Sequence, residues 1–476
     1  MLQQNTTQFV IFGNTLAASM TVLALSKALP KNIKLKWLRP TEPCASDVLY
    51  GGITSPEAYQ FNLQYGVTEP ELILNTDSTF TFGSNFKNWG DNNRTWMQCF
   101  HLPFAATSGV ELQHFMTRHN AALGDFLISA QAAIKGTFAH PPDDKPQSPL
   151  SRAEYGYHFD PVQWSTIFYN KVDKTRVKVI HDDIAAVEHH QAYIDSVQLN
   201  DGSKLQADLY IDCSGTSSQL QAQLSNDFIC QRTVHLSNKT QPSSKTGPAY
   251  RLITGNEQGW QSVTPLRDKN HIVSLCESSF KPSDASGQAT YQTFNLGHHA
   301  KAWQGNCIAI GHATYAFEPI TPAPYILLKK DIERLLELIP VSHATQVERN
   351  EYNRRYFDDV IHAELFHRAL YAEQRDVGFK DCAKLHRKLS QYKHRGILAN
   401  FDFEPFNQQD WAILHAGLGR IPEHYDRMAE QVDFAKMQAN LDAMRIGIAH
   451  LASSMPPHHI YLQKLSQYLR ENNQHG

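Results

Sequence analysis

The chain has 476 residues, a formal net charge of −3, 41% hydrophobic and 19% charged residues. That length supports a large core and two or three domains, or one large two-part enzyme. No basic block is dense enough for nucleic acid and no apolar run approaches a membrane span. The short apolar run near the N-terminus lacks the basic flank of a secretory signal. The seven cysteines are scattered, without a C-x-x-C pair. Reduced thiols in a cytoplasmic protein are therefore expected.

Residues 9–12 form a short apolar run that predicts a buried strand, and residues 15–29 predict a packed helix. Such a strand, turn and helix can place a pyrophosphate on the helix N-terminus. The usual G-x-G-x-x-G gives its glycines three jobs: the turn, the approach of the diphosphate, and helix packing. Here Phe12, Asn14 and Ala17 stand at those positions, with Gly13 between the first two and Thr15 after the second. The next strand, 33–38, is expected to end in an acidic residue for a ribose; it ends in Arg39.

Residues 46–154 are rich in aromatics and turn residues, with a strand-like alternation over 78–82 and a helix predicted over 110–135. Short strands are predicted at 177–180, 184–188, 192–199 and 207–211, with Asn200-Asp-Gly202 as a hairpin turn. Further strands are expected over 247–280, and 307–311 reads as a strand running into a turn. From about 325 the pattern is helical, at 326–338, 347–370, 383–392, 410–418 and 429–451. Interleaved parts are favoured over separate beads.

Two more segments carry chemistry. The hairpin delivers Ala207-Asp-Leu-Tyr-Ile-Asp-Cys-Ser-Gly215, a hydrophobic strand ending in small residues that let a cofactor approach. Cys307-Ile-Ala-Ile-Gly311 leads to His312, where flavoproteins often carry an acid. Either strand also reads as plain core. His362, Glu364 and His367 share a predicted helix, but a five-residue spacing does not bring two imidazoles to one face, so no metal is expected. Phe80, Phe82, Phe86, Trp89, Trp96, Phe100 and Phe104 suit an indole pocket, though core packing accounts for most of them.

Taken in order, these segments resemble the flavin-dependent tryptophan halogenases, relatives of the aromatic hydroxylase flavoproteins. The resemblance rests on Tyr155-Gly-Tyr-His-Phe-Asp160, Ala207 to Gly215, Thr54-Ser-Pro56, Gly66, Phe317-Glu-Pro319, Trp411, Gly417 and Met455-Pro-Pro-His-His459. It implies an α/β, Rossmann-like flavoprotein monooxygenase fold with an interleaved, largely helical substrate-binding part. The FAD part would span 1–345 (nucleotide fold 1–45, 155–230 and 300–345) and the substrate part 46–154 and 231–299. Residues 346–476 would form a helical region packed on the substrate part.

The resemblance further implies FAD, a separate flavin reductase, oxygen and a halide. Hypohalous acid would pass to a lysine beside an aromatic substrate such as tryptophan or an indole, with a glutamate assisting. This chain has Thr81 at the lysine position; a shifted alignment offers Lys87 instead. Thr321 replaces the glutamate, and Pro322-Ala-Pro324 follow it, removing backbone donors. The family's Gly-Glu-Ala-Thr strap becomes Gly51-Gly52-Ile53-Thr54. The candidate cofactor residues are Gly13, Thr15, Ala17, Arg39, Gly51, Gly52, Asp212, Gly215 and Gly311. The expectation placed first is FAD-dependent oxidation of an aromatic or indole substrate, hydroxylation ahead of halogenation. The alternative is a scaffold without catalysis, or a partner subunit of an active paralogue; a homodimer stays open.

Overall fold

The computed structural model describes residues 7–473 except 91, 143, 281–290, 341–344, 373–381 and 403. A six-stranded sheet holds the candidate cofactor residues. Its strands, from one edge, are Trp303–Gln304, β5 (Cys307–Ala309), β4 (Leu209–Asp212), β1 (Gln8–Phe12), β2 (Lys34–Leu38) and β3 (Val177–Ile180). All pair in parallel except Trp303–Gln304. β1 is central, with Phe12 in register with both Asp212 and Leu38. Its near-continuous apolar run, Phe9 to Phe12, suits a strand buried on both faces. Helix α1 (Leu16–Ala28) follows at once, and every residue from Leu16 to Leu25 is buried.

The strands after β3 match the sequence reading. Ile184–His190, Tyr193–Leu199 and Lys204–Leu205 form a three-stranded sheet that turns at Asn200–Gly202. The middle of the chain differs in emphasis from a largely helical part. It is organised on an eight-stranded sheet: Tyr315–Ala316, Gln292–His299, Phe228–Pro242, Lys269–Glu277, Gly259–Pro265, Arg251–Asn256, Gly83–Trp89 and Arg94–Cys99. Much of Phe228–Pro242 alternates between more and less buried positions, the period-2 signature of a sheet with one covered face. The helix expected over 110–135 is broken into Leu112–Arg118 and Ile128–Lys135, with a 3-10 turn between.

Helices α2 (Ala323–Glu337), α3 (Gln346–Tyr371) and α4 (Gln408–Gly417) fall close to the predicted bounds. The next runs Phe434–Ser454, shorter at its start than 429–451 predicts, because Arg427–Gln431 forms a 3-10 turn. A final helix, His458–Asn473, lies inside the helical C-terminal region that the resemblance implies, beyond the last helix predicted individually. Among the described residues no helix is long and apolar enough to cross a membrane.

Candidate functional site

The C-terminal ends of β1, β4 and β5 meet at the start of α1, where parallel α/β sheets bind ligands. Gly13 has a φ of 138°, and a Cβ there would lie 2.3 Å from the Cys213 carbonyl oxygen. Thr15 caps α1: its hydroxyl accepts from Ala18 N–H at 3.0 Å and donates to the Cys213 carbonyl at 2.9 Å. Ala17 faces Gly311, whose missing Cβ would lie 3.0 Å from that of Ala17. Gly13, Thr15, Ala17, Asp212, Gly215 and Gly311 are thus gathered at one place. Asp212 is committed to the backbone: it accepts from Ser214 N–H and hydroxyl and from Leu220 and Gln221 N–H, at 2.6–2.9 Å. Arg39 lies outside this group; its guanidinium stacks over Tyr169, 4.5 Å from the ring centroid.

The segment after β2 folds back across the same place. Residues Ala45–Tyr50 form a 3-10 turn, followed by Gly51 and Gly52, both near φ 66°. Asp47 accepts the Leu16 N–H at 2.9 Å, so a carboxylate of this chain sits on the N-terminus of α1. Burial raises its pKa to about 7. Tyr50 is fully buried and packs on His312, ring centroids 4.3 Å apart. Burial holds His312 down to about 4, so it is a neutral imidazole. Arg251, also fully buried, donates to the carbonyls of Gly51 (3.0 Å), Pro319 (2.8 Å) and Ile320. It thereby ties Gly51 to the Glu318-Pro319 loop.

Thr321 and Thr81, the two residues that the resemblance sets at the family's glutamate and lysine, lie on that loop and on the strand Thr79–Thr81. Thr81 ends the strand Thr79–Thr81, fully buried, its hydroxyl donating to Gly83 O at 2.9 Å and accepting from Gly83 N–H at 3.0 Å. Thr321 shares a 2.6 Å hydrogen bond with His367 Nε2 and accepts from Ala323 N–H at 3.2 Å. Burial, then Arg232 and Arg251, push the His367 pKa down to about 3. Pro322 and Pro324 carry no N–H, and Ala323's is given to Thr321, so these three residues offer no backbone donor to an anion. Gly83 and Thr321 line one cavity of about 20 Å³ with Phe366 and Phe406. That is room for a water, not an indole. Lys87 is exposed on Gly83–Trp89, so it does not replace Thr81 at this buried site.

Glu318 holds the loop from the other side, accepting from Arg232 Nη1 at 3.0 Å and from Trp260 and Tyr371. His362 stacks on Phe401, Glu364 pairs with Arg368, and His367 turns to Thr321, so the three do not converge. A separate cavity of about 690 Å³ lies between Arg94–Cys99, Ile128–Lys135 and α4, with Trp96, Met116, Leu127 and Ile413 in its wall.

The sequence profile named tryptophan halogenase matches residues 8–434. The chain belongs to this family. The tryptophan 7-halogenase KtzQ of Kutzneria sp. (strain 744) is 23% identical, over 96% of this chain and 98% of its own. Among solved structures, BrvH, a flavin-dependent halogenase from Brevundimonas sp. BAL3, superposes with a TM-score of 0.88 at 22% identity, covering 97% of this chain and 99% of its own. A tryptophan 6-halogenase from Streptomyces toxytricini superposes with a TM-score of 0.83 at 17% identity, covering 96% and 99%. At these identities the structural likeness speaks for the fold.

Relatives of this chain are flavin-dependent. The residues present here do not fit a flavin dinucleotide. The α1 N-terminus that would take its diphosphate holds Asp47, and the surfaces at Gly215 and Gly311 are covered by Ser46, Cys44 and Tyr50. The sequence reading found the glycines and missed Asp47. The available signal was an acid in the segment just before Gly51-Gly52, where an anion-binding cleft has no use for one.

Proposed function

We propose that this chain is a tryptophan-halogenase-family protein that does not halogenate and serves as a binding scaffold or partner subunit. The observation that carries the reading is the closed site at Thr81 and Thr321. Both hydroxyls are satisfied within the chain, and the cavity that Thr321 lines with Gly83 is only about 20 Å³. Neither side chain supplies an ammonium to hold an oxidant or a carboxylate to stabilise a cationic intermediate. The cavity of about 690 Å³ is of the size that takes small molecules, and supports a retained binding role.

The test is turnover with a flavin reductase, FAD, oxygen, chloride or bromide, and tryptophan or indole, followed by mass spectrometry. No protein-dependent halogenated product is expected; such a product overturns the reading. A second reading, FAD-dependent hydroxylation of an aromatic with a reductase as partner, draws support from the left-handed glycines kept at 215 and 311. A hydroxylated product in the same assay would favour it.

A further inference from the structure

We infer that residues 44–50 are a built-in occupant of the cofactor cleft, and that this chain stands without FAD because this segment, the lead-in to Gly51-Gly52 and called the strap below, fills the dinucleotide's place. The inference goes beyond loss of halogenation: a chain lacking the lysine and glutamate is still free to bind flavin.

Three sets of contacts make the strap a fixture. The first is at the turn between β1 and α1. Asn14, at the position of the second fingerprint glycine, accepts the Cys44 N–H on its carbonyl at 3.1 Å. Its side-chain amide donates to Pro40 O at 3.0 Å and Thr41 O at 3.3 Å. The Asn14 side chain therefore fixes residues 40 and 41, which lead into the strap, while its backbone carbonyl takes Cys44. The second set is at the turn after β4. Ser46 accepts from Thr216 N–H at 3.4 Å and lies 2.9 Å from Cys44 Sγ. A Cβ on Gly215 would meet Ser46 Oγ at 2.1 Å and Cys44 Sγ at 2.6 Å, so the strap occupies the approach that Gly215 leaves open. The third set is at β5, where Tyr50 packs over His312 and reaches within 3.1 Å of where a Gly311 Cβ would be.

The charge is as unfavourable as the space. A helix N-terminus offers free N–H groups and a positive dipole end to an anion. Leu16 N–H is given to Asp47, and Ala18 N–H to Thr15. A diphosphate would have to displace the Asp47 carboxyl or sit beside it, and beside it the two repel unless Asp47 takes up a proton. Leu16 and Tyr50 are both fully buried, so displacement means moving the whole strap.

The experiment combines flavin titration with amide hydrogen exchange on the full-length protein. Flavin fluorescence quenching with oxidised FAD, and anaerobic titration with the reduced form, are expected to show no saturable binding. The Leu16 amide should exchange as slowly as β1 amides, unchanged by FAD. Asp47→Ala should speed exchange at Leu16 by about tenfold, the worth of one buried hydrogen bond. Asp47→Asn keeps an acceptor oxygen and should leave it slow; if Asp47→Ala does not fold, the wild type and Asp47→Asn decide. Saturable FAD binding by the wild type, or slowing of Leu16 exchange by FAD, overturns the inference. Flavin binding without halogenated product would overturn this inference alone and leave the proposed function standing.

Discussion

Asp47 places a carboxylate among buried groups with one bonded oxygen: Oδ2 accepts from Leu16, and Oδ1 has no hydrogen-bond partner. An unpaired buried acceptor costs stability, and burial here raises the pKa to about 7 from 3.8. The sign follows from proton linkage. Between the unfolded and folded pKa values the native state holds the extra proton, so this residue's contribution falls as pH rises from about 4 to 7. Asp47→Asn removes that loss. Its urea midpoint should exceed the wild type's at pH 8 by the equivalent of up to roughly 4 kcal/mol and converge with it near pH 4. Equal midpoints at pH 8 would show that Asp47 is solvated and not a buried occupant. Arg251 is the complementary case, a buried guanidinium spent on three carbonyls. Arg251→Ala leaves those acceptors unpaired, and a loss of about 3 kcal/mol or more in urea denaturation is expected.

Among elements, two glycines separate a required conformation from a tolerated one. Gly311 has a φ of 64° and stands against Ala17 and Tyr50; Gly447 lies inside the helix Phe434–Ser454 with open space where a Cβ would be. Gly311→Ala should destabilise by more than about 1 kcal/mol, and Gly447→Ala should stabilise by about 0.5–1 kcal/mol. The same contrast explains what was legible in the sequence. β1, β4 and the long helices announce themselves through apolar runs and 3.6-residue spacing. Gly83–Trp89 and Arg94–Cys99 did not, because glycine, asparagine and lysine interrupt the first, arginine and glutamine sit in the second, and the burial of neither alternates. Their sheet is closed by long-range pairing, as between Arg251–Asn256 and Gly83–Trp89. For the site, motif order pointed to Thr81 and Thr321. It did not show that Asp47 reaches Leu16, which follows from how distant segments meet.

Across the whole molecule, buried histidines and buried aspartates set opposing pH dependences. His101, His312 and His458 have pKa values pushed down to about 4 by burial, and His367 to about 3. His158 and His415 lie well below the ordinary value for the same first reason. A folded histidine with a depressed pKa is neutral while the unfolded chain takes a proton near 6.5. Its stabilising effect is complete above that pH and is lost as pH falls toward 4, at up to roughly 3 kcal/mol each. Asp47 and Asp410, near 7, and Asp331, near 6, work the other way and return stability on acidification. The histidines outnumber them. Glu69, Asp77 and Asp227, held below the usual carboxylate range by hydrogen bonds and charges that outweigh burial, extend the loss to still lower pH, below about 4. The protein should therefore lose stability between pH 6.5 and 4, read as a falling urea midpoint. Asp47→Asn should steepen that fall, because it removes one of the groups that oppose it. A wild-type midpoint that rises on acidification through this window would mean the aspartates dominate, and that several of these imidazoles are solvated.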